Sequence, residues 1–335
     1  MSHSAKPPTR TARASRRTRR LVTALAVLAP LVAVTAVQSS ALADDAPRAK
    51  EQAESPFTGL PADPAPVLAV KVDNVKAARP HTALEKADMV FVEKVEGGLS
   101  RLIGVFSSEQ PEEIGPVRSA REYNVEQLRM FDRPALAYSG AQKGVDDLIQ
   151  ESPLYGLSND NFPGAYFRDD SRDAPHNLFV HPDEILAGAP EASDSSDIGF
   201  RFGDDAPEGG EPLEERTVSY PSADTTFNWS AEEDRWLASF DGEPATSTDG
   251  ERLGGKTVVV QEADMPLSEF QDPTNTTPFI ETVDKGKATV LRDGKAYETT
   301  WERTSPEGDT TYTLPNGERM PFDRGQVWVV YEERK

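Results

Sequence analysis

The sequence predicts an α+β protein, with a mixed α/β N-terminal domain followed by a β-rich C-terminal part. Three observations carry this. Apolar runs of strand length alternate with helix-forming stretches between about residues 65 and 190. Beyond residue 216 only strand-type runs recur. Between them, residues 191–215 are rich in Ser, Asp, Gly, Pro and Glu, the composition of a solvated linker or long loop.

The elements follow in order. Residues 1–43 read as a signal peptide: Lys6, Arg10, Arg13, Arg16, Arg17, Arg19 and Arg20 precede an apolar run from Leu21 to Val37, and Ala41-Leu42-Ala43 forms a small-x-small cleavage site. If uncleaved, the run reaches the lower limit of a membrane anchor. Ser15-Arg16-Arg17 is compatible with twin-arginine export, although the following Thr18-Arg19-Arg20 is not apolar. Residues 44–64 have no apolar period and are expected to be a flexible spacer.

Within the domain expected over 65–190, Val67–Val72, Met89–Glu93, Leu102–Phe106 and Ala135–Tyr138 have strand composition. Gly97-Gly98 is expected to turn the second into the third. Val117–Phe131 lacks Gly and Pro, follows Gly115-Pro116, and is expected to be helical, as is Gln142–Gln150. In the region 216–332 the strand runs are Thr217–Tyr220, Thr225–Trp229, Arg235–Phe240, Thr257–Val260, Ala288–Leu291, Ala296–Trp301 and Val327–Tyr331. Asp293-Gly294 joins two of them as a hairpin turn. This part is either a domain of its own or a sheet wrapped onto the first.

The chain has 57 acidic and 36 basic residues and no cysteine. Removal of residues 1–43 takes seven basic residues and no acidic one, leaving 29 against 57, a net charge of −28. Such a surface repels nucleic acid. Absence of cysteine excludes thiol catalysis, disulfides, thiolate metal sites and lipid attachment to a cysteine. No Walker, dinucleotide-glycine or Gly-x-Ser-x-Gly pattern occurs, and neither a cofactor nor a metal is expected. Asp169, Asp170 and Asp173 lack the glycine and terminal glutamate of a calcium loop and read as a solvated turn.

Several ordered segments carry a family resemblance. Val70-Lys71-Val72-Asp73-Asn74, Arg79-Pro80, Ala87–Glu93, Val95–Arg101, Gly115–Arg121 and Ala174-Pro175-His176-Asn177-Leu178 resemble the N-terminal part of the YerB-like lipoprotein family. Val258–Gln261, Gly286-Lys287-Ala288, Arg292–Lys295 and Trp301-Glu302-Arg303 resemble its second half. The resemblance spans about Phe57 to Tyr331 and implies a bacterial envelope protein of unassigned biochemical role. Its members are often anchored through a lipidated cysteine, which this chain lacks.

The same segments hold the candidate site residues. Arg118 and Arg121, three apart at the start of the expected helix, suit an anion, with Arg79, Arg101 and Asn177 as further ligand-binding candidates. A structural alternative pairs the arginines with Asp73, Glu93 or Glu96. These carboxylates fall at or beyond strand ends and could supply acid and base in a hydrolase, with His176 as general base. His81 and His181 are assigned structural duties, His181 as a helix cap. Ser119 and Ser139 are unsupported hydroxyls. Three function classes therefore stand: a binder of an anionic small molecule or envelope polymer, an envelope hydrolase, and a structural partner protein. Membrane contact is expected only through an uncleaved N-terminal segment.

Overall fold

A computed structural model describes residues 53–271 and 276–335. The expected signal segment and the first part of the expected spacer lie outside the described residues. No helix among the described residues is long and apolar enough to cross a membrane.

The first half contains β1 (Leu68–Asp73), β2 (Met89–Lys94), β3 (Ser100–Phe106), α1 (Tyr123–Leu128), β4 (Ala135–Tyr138), α2 (Lys143–Glu151) and β5 (Tyr155–Ser158). β6 (Tyr166–Arg168), β7 (Leu178–Val180) and α3 (Pro182–Gly188) follow. The remainder is all strand among the described residues: β8 (Glu211–Pro212), β9 (Glu215–Tyr220), β10 (Ala223–Ser230), β11 (Arg235–Phe240), β12 (Glu243–Pro244), β13 (Gly254–Gly255), β14 (Thr257–Ala263), β15 (Lys285–Arg292), β16 (Lys295–Glu302), β17 (Thr311–Thr313) and β18 (Val327–Glu333). The α+β class therefore holds, with β-structure predominating.

One mixed sheet runs through both halves in the order β17-β16-β15-β14-β18-β2-β3-β1-β4-β5, with β8 alongside β16. The last strand joins the halves. β18 lies parallel to β14 on one side and to β2 on the other, placing Val329 beside both Val259 and Phe91. A second sheet, β12-β11-β10-β9 with β13 beside β11, covers part of one face of the first.

Period-two alternation explains the layers. Leu68, Val70 and Val72 of β1, Val90 and Val92 of β2, and Trp328 and Val330 of β18 point to one face and pack against Phe227, Trp236 and Phe240 of the second sheet. Ala69, Met89, Phe91, Val105, Val329 and Tyr331 point to the other, under Tyr123 and Leu128 of α1 and Val145 and Ile149 of α2. α2 starts at Gln142, whose side chain accepts the amides of Gly144 and Val145. The Arg292–Lys295 hairpin turns through Asp293 and Gly294 at φ of 52° and 69°, the paired positive angles of a type I′ turn.

Three local expectations are corrected. The stretch Val117–Glu122 is not helical: Val117 N–H donates to Leu178 O and Arg118 N–H to Lys71 O, so sheet-like pairing outcompetes helix propensity until Tyr123. The arginines therefore share no helix face, and the dipole argument for them lapses. The spacer ends before residue 64, because Phe57 is buried with its ring 5.2 Å from Phe131. Within the largely irregular stretch 191–215, Ile198 and Phe200 are buried. His181 occupies the first cap position of α3 without a side-chain capping bond, and its ring instead stacks on Phe167 at 4.6 Å.

Candidate functional site

The face beneath α1 changes character at one end of the sheet. Along β1 the inward series Ala69, Lys71, Asp73 turns ionic, and in register Asp73 sits opposite Arg101 of β3, which sits opposite Glu93 of β2. Cross-strand neighbours lie about 5 Å apart, so this is a continuous row of charge.

At its deep end, Lys71 pairs with Glu93, both without solvent exposure. Tyr123 Oη donates to Glu93 Oε2 at 3.3 Å and Asn124 Nδ2 to Oε1 at 3.2 Å. Burial pushes the Lys71 ammonium down to about 8, against the opposing pull of Glu93. Glu93 is thus a structural anion with no access to a substrate, which corrects its candidacy as a catalytic carboxylate. Lys71, Tyr123 and Asn124 were missed by the sequence reasoning, although a lysine inside the apolar run Leu68–Val72 was the visible signal.

Toward solvent the row divides. On one side Arg121 grips Glu96 in a two-pronged pair, Nε to Oε1 at 2.6 Å and Nη2 to Oε2, while Thr277 Oγ1 donates to the same Oε1 at 3.0 Å. Burial raises the Glu96 carboxyl, but the hydrogen bonds and charge of Arg121 prevail and hold it at about 2. At neutral pH it is ionised and committed to Arg121, which removes it as a proton-donating acid. Arg101 lines the same space with fewer partners. Its Nη1 lies 3.5 Å from Ser119 O and 3.9 Å from Glu96 Oε2, and burial together with Arg121 lowers it to about 10. Arg101, Arg121, Glu96, Ser119, Gln142 and Phe270 line a cavity of about 400 Å³.

On the other side, fully buried Asp73 receives His176 Nδ1 at 2.8 Å and has Arg118 Nε at 3.3 Å from the same Oδ2. The Arg118 contact is an ion pair lacking hydrogen-bond geometry. Ser119 and Ser139 hydroxyls meet at 3.3 Å between the two groups of residues.

Two candidates belong elsewhere. Arg79 is spent on Asn74, Phe240 O and Asp241, bracing the second sheet, and its guanidinium stacks 5.0 Å from the Phe240 ring. Asn177 Oδ1 accepts from Arg168 at 2.7 Å and its amide turns back to Asp169 O, closing the loop before β7. The three arginines and His176 consequently do not share one hollow. They form a cavity lined by Arg101 and Arg121 and a neighbouring Arg118–Asp73–His176 cluster.

The fold and this row of charge define an α+β protein in which strands of both halves complete a single mixed sheet whose one end is ionic. The chain belongs to the YerB-like DUF3048 family: the model described as "Protein of unknown function (DUF3048) N-terminal domain" matches residues 57–196, and its C-terminal counterpart matches residues 216–329. It is similar to the protein named "Putative lipoprotein YerB" of Bacillus subtilis (strain 168), at 27% identity over 301 residues, 85% of this chain and 88% of that one. The crystal structure of YerB protein from Bacillus subtilis shares the fold with a TM-score of 0.72 at 24% identity, covering 84% of this chain and 96% of that one.

Proposed function

We propose that this chain is an extracytoplasmic, cell-envelope protein that binds an anionic small molecule or an anionic segment of an envelope polymer in the cavity beside Arg101 and Arg121. Its location is supported by the basic-then-apolar N-terminal segment and by the lipoprotein name of its Bacillus relative. Without a cysteine, membrane contact would come through the apolar segment itself.

One observation carries the binding reading. Arg101 presents a largely buried guanidinium to the cavity, and among the described residues no carboxylate oxygen approaches it more closely than 3.9 Å. A guanidinium offers five donors, and a desolvated one gains most from a carboxylate or phosphate. A purely structural partner protein would instead have its arginines closed on one another's counterions, as Arg79 and Arg121 are.

Calorimetric titration of the full chain with inorganic phosphate, citrate and muropeptides tests this. Binding of at least one that is abolished by Arg101→Gln is the expected result. No binding, or binding that Arg101→Gln leaves intact, would remove the reading.

A further inference from the structure

The described histidines are put to two different uses. His81 Nε2 donates to the Asp73 carbonyl at 2.9 Å, and His181 Nδ1 lies 3.3 Å from the Glu112 carbonyl. Both tie loops to backbone. His176 alone among them faces a carboxylate, with Nδ1 2.8 Å from Asp73 Oδ2.

That pairing fixes chemistry at the other side of the ring. Ionised Asp73 can only accept, so Nδ1 carries the proton and Nε2 keeps its lone pair. Asp73 is itself immobilised: its side chain is 1% exposed and its N–H donates to Pro116 O at 2.9 Å. His176 remains 21% exposed, and its Nε2 makes no hydrogen bond among the described residues. Arg118 approaches the same carboxylate through Nε, leaving both Nη groups without a hydrogen bond among the described residues, and its side chain is 26% exposed.

We propose that His176 and Arg118, with Asp73 as the positioning residue, form an esterase site for an O-acyl ester. Nε2 of His176 takes a proton from water as the water oxygen bonds to the acyl carbon, and the carbonyl π pair moves to oxygen beside the Arg118 guanidinium. Collapse of the tetrahedral adduct breaks the ester C–O bond, and the leaving alkoxide recovers the proton from Nε2–H. Ester and water become carboxylic acid and alcohol. An acyl ester is preferred to a phosphoester because one guanidinium matches the single oxyanion that develops, whereas phosphoryl transfer spreads charge over three oxygens and recruits several cations. The proposal stands on the Asp73–His176 geometry and does not require the Arg101–Arg121 cavity to be filled.

The full chain is assayed with p-nitrophenyl acetate and p-nitrophenyl butyrate. Expected is saturable hydrolysis whose kcat falls about 10²-fold or more in His176→Gln and is unchanged in His181→Gln. Arg118→Gln lowers kcat with KM little altered. Asp73→Asn lowers kcat with KM little altered, because the amide no longer holds the His176 proton on Nδ1. Absence of saturable hydrolysis, or a rate that His176→Gln leaves unaltered, overturns the proposal. Independently of substrate, ¹⁵N NMR must find the His176 proton on Nδ1; a proton on Nε2 in the neutral ring overturns it as well.

Discussion

Lys71 of β1 and Glu93 of β2 pair across the intervening strand β3 with neither side chain touching solvent. Such a pair gains little over an apolar contact of the same volume, but losing one member leaves an uncompensated buried charge. Lys71→Met should therefore destabilise the protein by about 3–5 kcal/mol. Lys71→Met combined with Glu93→Leu should recover most of that, with a remainder from the orphaned Tyr123 and Asn124 donors. Denaturant titrations of the three variants check it, and a double variant no more stable than Lys71→Met would contradict the account.

His81 gives the protein a specific acid sensitivity. Burial pushes its imidazole down from 6.5 to about 4. Between those values the unfolded chain binds a proton that the folded one refuses, so stability present above pH 6.5 is lost as pH falls toward 4, by about 3 kcal/mol in all. In His81→Gln, the unfolding free energy should depend less steeply on pH across that interval. An unchanged slope would show that His81 is not the sensor.

Glu96 acts at lower pH. Its carboxyl is held at about 2, so the stabilisation from its pairing with Arg121 is complete above the ordinary value of 4.5 and lost as pH falls through 2. Glu96→Gln should remove this part of the acid transition while leaving the His81 interval intact. Circular dichroism during acid titration separates the two.

Gly294 is required by its turn. At φ of 69° a side chain is disfavoured by about 1–2 kcal/mol, and a Cβ there would stand 2.9 Å from Trp229 Nε1. Gly294→Val should lower thermal stability accordingly. Gly97→Asn should be nearly neutral: its φ of 66° suits asparagine, and an added Cβ meets nothing within 4 Å. Equal losses in the two variants would argue against conformational control at Gly294.

Much of the fold was legible because strands announce themselves locally. The runs at Met89–Glu93, Ala135–Tyr138 and Arg235–Phe240 fall within β2, β4 and β11, and Asp293-Gly294 turns as its residue types require. The failures share one cause. Val117–Glu122 has helical composition, yet its amides bond to β1 and β7, partners remote in the chain that no local window contains.

The sequence by itself determined the longer apolar strands, the acidic balance and the family, since each depends on residue type and order alone; the short strands β5, β6 and β7 carry no such local signal. Only the tertiary structure decided that β18 closes one sheet between the halves, that Lys71 neutralises Glu93, and that Asp73 chooses His176 while Arg121 chooses Glu96. Ion pairing depends on distance and desolvation. Both are set by cross-strand register and by the helices packed above, and neither can be read from spacing along the chain.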